Sequence, residues 1–141
     1  MEATKRKLLW HGMALFLLGL LTGLVEQHFT NVRMGLAAHL EGILNGTFLL
    51  ALGAAWNEVI LRPTMKTAAY WIFLGGTYGN WLVTTLAAVL GTSALSPVTA
   101  AGFNAPSWQE MIVTAGFVGV GVAIIAGAGL GLWGLRGSAA R

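Results

Sequence analysis

Residues 33–47 read RMGLAAHLEGILNGT, a run in which His39, Glu41 and Asn45 interrupt residues that are otherwise apolar or small. It lies in a longer apolar stretch, about residues 36 to 61, enough to cross a hydrocarbon core that takes about 20 residues. Insertion scales penalise a central charged side chain by about 2.5 to 3.5 kcal/mol, and polar groups at that depth turn toward a bundle interior or a cavity. Reading the run as a membrane helix therefore predicts a chemical site inside it.

The rest of the chain supports a membrane reading. Of its 141 residues, 56% are hydrophobic and 9% charged, against roughly 25% charged in an average soluble protein. Four stretches are long enough to span, at about 8–26, 36–61, 68–90 and 108–135. The expected fold is all-α: one domain, residues 1–141, forming an integral membrane four-helix bundle. The first stretch follows Lys5, Arg6 and Lys7, like a secretion signal, but its apolar part is too long and no small-x-small cleavage site leads into a polar domain. It is read as a retained span. Cysteine is absent, which excludes disulfides, thiolate metal sites and a cysteine nucleophile. The net charge of +3 is small and scattered and gives no nucleic-acid signal.

The basic residues Lys5, Arg6, Lys7, Arg62, Lys66, Arg136 and Arg141 fall at the termini or in the second connection, and only Arg33 lies elsewhere. The positive-inside rule then places both termini and the second connection in the cytoplasm, with the protein in the inner membrane. The third connection, GTSALSPVTAAGFNAPS, is uncharged and rich in Gly, Ser and Pro, as a loop covering the outer mouth of the bundle would be. At its end Ser107 precedes Glu110 by three residues, the spacing of a capping box. Glu58 precedes Arg62 by four, the spacing of a helical surface ion pair. Gly19 with Gly23, Gly42 with Gly46, Gly75 with Gly79 and Gly127 with Gly131 are small-xxx-small pairs, which allow close approach of helices or of a flat ligand.

With the second span entered from outside near Gly35, a rise of 1.5 Å per residue puts His39 about 6 Å deep and Asn45 about 15 Å deep. Asn80, about 18 Å from the inner edge on the third span, can share their layer. Thr77, Asn80 and Thr84 form one helical stripe, with Trp81 and Thr85 beside it. Hydrogen bonding between helices by Asn and Thr is the plainer reading of that stripe. Gly42 and Gly46 share the face of His39, whereas Glu41 points nearly the opposite way and shares a face with Asn45. Glu41 is read as stabilising the helix N-terminus or as facing a neighbouring subunit as a proton acceptor. The strip at Gly42 and Gly46 would let a planar macrocycle lie beside the histidine, and imidazole is a common haem axial ligand. His28, near the outer end of the first span, is read as a solvated residue or, together with Arg33, as one near haem propionates, rather than as a sixth ligand. Trp71, Trp81, Phe73 and Phe48 are candidate aromatic walls.

The segments NVRMGLAAHLEGILNGTFLLALGAAW and GTYGNWLVTTLAAVLGT, together with the RKLLWHGMALFLLGLLTG start and SWQE, closely resemble the hydroxylaminobenzene mutases. These are four-span membrane proteins that rearrange hydroxylaminobenzene to 2-aminophenol. A more distant resemblance, through A-H-x-x-x-x-L-N-G in span two and G-x-x-x-N in span three, is to the styrene oxide isomerases. That family is trimeric and binds haem b, whose ferric iron acts as a Lewis acid. The resemblance implies a homotrimer with haem b on His39, Asn45 orienting the small aromatic substrate and Asn80 nearby. A family tyrosine one turn beyond Asn80 is Thr84 here, which leaves Tyr78 or Tyr70 as the phenols at hand. Loss of that phenol favours a hydroxylamine over an epoxide as substrate.

Two other classes make contrary predictions. A b-type electron carrier needs a second axial histidine, and His28 is the only partner at hand. A small multidrug transporter would use a carboxylate deep in span one, where this chain has only Glu26 at the exit.

Overall fold

The computed structural model describes residues 2–137; Arg141, counted above among the cytoplasmic charges, lies outside them. The described residues form four helices and no strand: α1 (Glu2–Val25), α2 (Val32–Ala55), α3 (Pro63–Leu90) and α4 (Ser107–Leu135). A single 3-10 turn, Glu26–His28, follows α1. All four helices are long and apolar enough to cross a membrane, so the all-α expectation holds.

Helix limits differ from the sequence reading: α1 begins at Glu2 rather than at 8 and α2 at Val32 rather than at 36, and two further differences bear on the packing. α3 begins at Pro63 rather than near residue 68, with proline in the first turn, where its missing N–H is not needed. The second span ends at Ala55 rather than at 61. Residues 56–58 turn, and the Ile60 amide donates to the Gly134 carbonyl of α4 at 2.9 Å. Val59 is buried against Gly134 and Leu61 packs beside it, so this segment joins α4 and does not prolong the span, while the Ile60 side chain stays exposed. Glu58 and Arg62 therefore lie in a non-helical connection, where helical pair spacing has no meaning.

The helices pack in chain order, α1 on α2, α2 on α3 and α3 on α4, with a smaller contact between α1 and α3. α4 meets no helix other than α3. The arrangement is a three-helix core with a fourth helix laid on one side, more open than the closed bundle expected from four similar spans. Large apolar side chains such as Leu24, Leu44, Ile125 and Leu132 stay exposed, as a hydrocarbon solvent permits.

Glycine determines how closely α1 and α2 approach. A Cβ on Gly42 would stand 2.4 Å from the Gly19 Cα, and one on Gly46 would stand 2.5 Å from the Phe16 nitrogen. Backbone lies on backbone there, which is how small-xxx-small pairs join membrane helices.

The helix ends at the α1–α2 and α3–α4 connections are tied by polar groups. Asn31, fully buried, caps α2 by accepting the Met34 amide at 3.1 Å and donates its own side-chain N–H to the Thr99 carbonyl at 3.1 Å. Arg33 donates to the Ala101 carbonyl, with its guanidinium over the Phe103 ring. Glu110 does not complete a capping box with Ser107, because Pro106 is the cap residue and makes no side-chain cap bond. Its carboxylate instead accepts the amides of Ser93, Ala94 and Ala105 at 2.8 to 3.2 Å. Residues 91–106 are thereby pinned to the start of α2 and the start of α4. Asn31→Ala leaves the Thr99 carbonyl and the Met34 amide unpaired, and is expected to lower stability by about 1 to 3 kcal/mol. Thermal unfolding in detergent checks this, and an unchanged midpoint would count against the role.

Candidate active site

α2 carries polar groups on two faces because residues 39 and 41 are separated by about 200° of helical rotation. His39 turns to α1. Its Nδ1 lies 2.8 Å from the Gly19 carbonyl oxygen, and its ring lies where a side chain on Gly23 would be, 2.5 Å from an added Cβ. A carbonyl only accepts, so in the neutral imidazole Nδ1 carries the proton and Nε2 keeps its lone pair. Metal-binding histidines are commonly held in this way, with the outer nitrogen oriented by a backbone acceptor.

Glu41 and Asn45 turn to α3. Glu41 Oε2 accepts an N–H from Asn45 Nδ2 at 3.0 Å and another from Asn80 Nδ2, and all three residues are half-buried. No Lys or Arg occurs in the chain between Arg33 and Arg62 or between Lys66 and Arg136. The carboxylate is held by amides alone.

The remaining predicted residues lie apart from this cluster. Thr84 is buried, and its hydroxyl donates back to the Asn80 carbonyl at 2.8 Å, an ordinary intrahelical bond. Tyr78, two residues from Asn80 and so on another face of α3, donates to the His11 carbonyl at 3.2 Å. It borders an open groove of about 330 Å³ with Trp10, His11, Trp71 and Leu74. Arg33 belongs to the outer loop contacts. His28 is exposed on the outer turn, its Nδ1 3.3 Å from the Val25 carbonyl oxygen. Gly42 and Gly46 do share the face of His39, but α1 covers the strip they make, so no flat ligand can lie there.

Sequence reasoning missed the partners that α1 supplies. Trp81 reaches over Gly42 and donates its indole N–H to Thr22 at 3.1 Å, and Thr22 donates to the Leu18 carbonyl at 2.8 Å. Gly19 and Gly23 were readable as a small-residue pair, and that pair was the available signal for the His39 seat.

The site also bears on what kind of metal it can hold. Among the described residues no group of three His, Cys, Asp or Glu side chains forms a cage for a bare ion. His39 alone, with Nε2 free of its backbone bond, fits a metal whose other ligands come from a macrocycle.

Four helices long and apolar enough to cross a membrane, with a half-buried carboxylate and two asparagines between the second and third, define an integral membrane protein with a polar cluster inside its spans. The chain belongs to the styrene oxide isomerase family, whose profile matches residues 4–136. It is 42% identical over 137 residues to the hydroxylaminobenzene mutase HabB of Ectopseudomonas oleovorans, covering 96% of this chain and 84% of that protein. It is 41% identical over 104 residues to the mutase HabA of the same organism, covering 73% of this chain and 77% of that one. No solved structure matches significantly. The chain is an enzyme, an isomerase of the mutase kind.

Proposed function

We propose that this isomerase rearranges hydroxylaminobenzene and related aryl hydroxylamines to 2-aminophenols, with haem b held through His39 Nε2. The observation that carries the reaction is the identity with HabB along nearly the whole chain. In the rearrangement the N–O bond breaks and a C–O bond forms at the ortho carbon. The ortho proton leaves the ring and a proton is gained at nitrogen, so the product is an isomer of the substrate. Ferric iron, when bound, supplies Lewis acidity toward the substrate oxygen.

The other contributions come from the chain. Asn45 and Asn80 orient the polar end of the substrate, and Glu41 holds both amides. The place of the cluster between α2 and α3, within spans that lie in a bilayer, keeps bulk water from a cationic ring, which water would otherwise capture. Aryl substrates dissolve in the bilayer and reach the site from it.

Both termini and the α2–α3 connection face the cytoplasm of an inner-membrane protein, following the basic residues. The enzyme works as a homotrimer in this reading, and His39 would hold the macrocycle through Nε2; since α1 covers the glycine strip, Gly42 and Gly46 would not line it.

A second reading, isomerisation of aryl epoxides to aldehydes, is favoured by the family profile alone. Haem-loaded protein incubated separately with hydroxylaminobenzene and styrene oxide decides between them. The expected product is 2-aminophenol from the first. Turnover of the epoxide alone would overturn the proposal in favour of the second reading, and absence of a Soret band after haem supplementation would overturn the cofactor.

A further inference from the structure

We propose that Glu41 is a positioning residue that fixes the hydrogen-bond polarity of the site, turning Asn45 and Asn80 so that the site prefers aryl compounds that donate hydrogen bonds over those that only accept. The inference rests on the isomerase reading of this cluster and concerns which substrates it takes.

An asparagine amide has one accepting and one donating end and can be turned either way at little steric cost. An ionised carboxylate removes that freedom because it only accepts. Glu41 Oε2 takes an N–H from each asparagine, so both NH2 groups are directed to the carboxylate and both carbonyl oxygens are directed away from it. Each amide retains one further N–H. The site is then richer in acceptors than in donors: two carbonyl oxygens with their lone pairs, and the second carboxylate oxygen, against two remaining N–H groups. No basic side chain lies in the intramembrane parts of α2 or α3 to reverse this balance.

In a water-poor site, acceptors without partners weigh against binding, and a site built to hydrogen-bond a substrate N–H or O–H strongly rejects an analogue that lacks it. An aryl hydroxylamine brings an N–H and an O–H to the carbonyl oxygens. An aryl epoxide brings only an acceptor and leaves both carbonyls unpaired. Thr84 cannot compensate, since its hydroxyl hydrogen is committed to the Asn80 backbone carbonyl rather than to the side-chain amide.

A cluster that merely joined α2 to α3 would affect stability and would treat all ligands alike. The distinguishing measurement is a binding ratio. Phenol, which donates, and anisole, its acceptor-only ether, are titrated calorimetrically into the protein in lipid nanodiscs, with empty nanodiscs correcting for partition. The wild type is expected to prefer phenol by at least about tenfold. In Glu41→Gln, whose amide both donates and accepts, the ratio is expected to fall to within about threefold, and Glu41→Asp, which keeps the carboxylate, is expected to retain most of it.

A wild-type ratio near one overturns the inference, and so does an unchanged ratio in a folded Glu41→Gln protein. Should Glu41→Gln fail to fold, the wild-type ratio and that of Glu41→Asp still decide. Failure of the wild type to convert hydroxylaminobenzene while the phenol preference persists would overturn the proposed reaction and leave the polarity of the site standing. Where turnover is found, Glu41→Gln is expected to lower kcat/KM for hydroxylaminobenzene relative to styrene oxide, whereas an equal loss for both would again count against the inference.

Discussion

Gly42→Ala is expected to force α1 away from α2 and to lower stability by at least about 2 to 3 kcal/mol. The added methyl would stand 2.4 Å from the Gly19 Cα, 2.8 Å from the Gly19 nitrogen and 3.0 Å from Trp81 Cδ1. The first two are backbone atoms in a helix, so no rotamer change can make room. The helices must separate, and with them the contacts that Gly19 makes to His39 and that Trp81 makes to Thr22. Activity is expected to fall together with the thermal midpoint. Gly75→Ala is the control, because nothing lies within 4 Å of its added Cβ. That substitution is expected to be neutral or to stabilise α3 by about 0.5 to 1 kcal/mol through helix propensity. Equal midpoints for the two variants would show that the close approach of α1 and α2 is not what holds the core.

The second large effect is expected from His39→Ala: loss of the Soret band and of about 10³-fold or more in turnover, several kcal/mol of transition-state stabilisation. The fold should survive, since His39 is half-buried and the one hydrogen bond it makes here is to a carbonyl inside α1. Truncation leaves a slot beside Gly23 of imidazole size, so added imidazole is expected to restore part of both signals. His28→Ala, on the exposed outer turn, is expected to change neither. A Soret band retained at full strength in His39→Ala would remove His39 as the ligand, and its loss in His28→Ala as well would point to an electron carrier with two axial histidines.

How much of this was legible depended on whether a pattern is local. Apolar runs longer than a bilayer is thick announced the four helices, because hydrophobic length is a property of each segment alone. The end of α2 was hidden for the opposite reason: the Val59 and Leu61 side chains pack at Gly134, about 75 residues away, and composition cannot tell packing from spanning. Helical rotation placed His39 with Gly42 and Gly46, and Glu41 with Asn45. It could not say which neighbour covers each face. The strip beside His39 looked open until Gly12, Phe16 and Gly19 were seen to fill it. Glu41 reads in the sequence as a helix-end charge or as a group facing a neighbouring subunit, and only the packing of α3 on α2 brings Asn80 to it. Tyr78 and Asn80 are close in sequence yet serve different helix contacts, one toward His11 and one toward Glu41.

Because each helix packs chiefly on the one made just before it, the ribosome delivers the parts of this enzyme in the order in which they join. By the time Leu90 has entered the membrane, His39, Glu41, Asn45 and Asn80 all have their neighbours, and no side chain of α4 is needed to complete the cluster. The last helix arrives as a clamp, with Glu110 fastening the connection that precedes it and Gly134 receiving the connection between α2 and α3. Short-range assembly of this kind closes few large loops, which favours rapid folding. It also lets a costly intramembrane carboxylate find its amide partners while the remainder of the protein is still being synthesised.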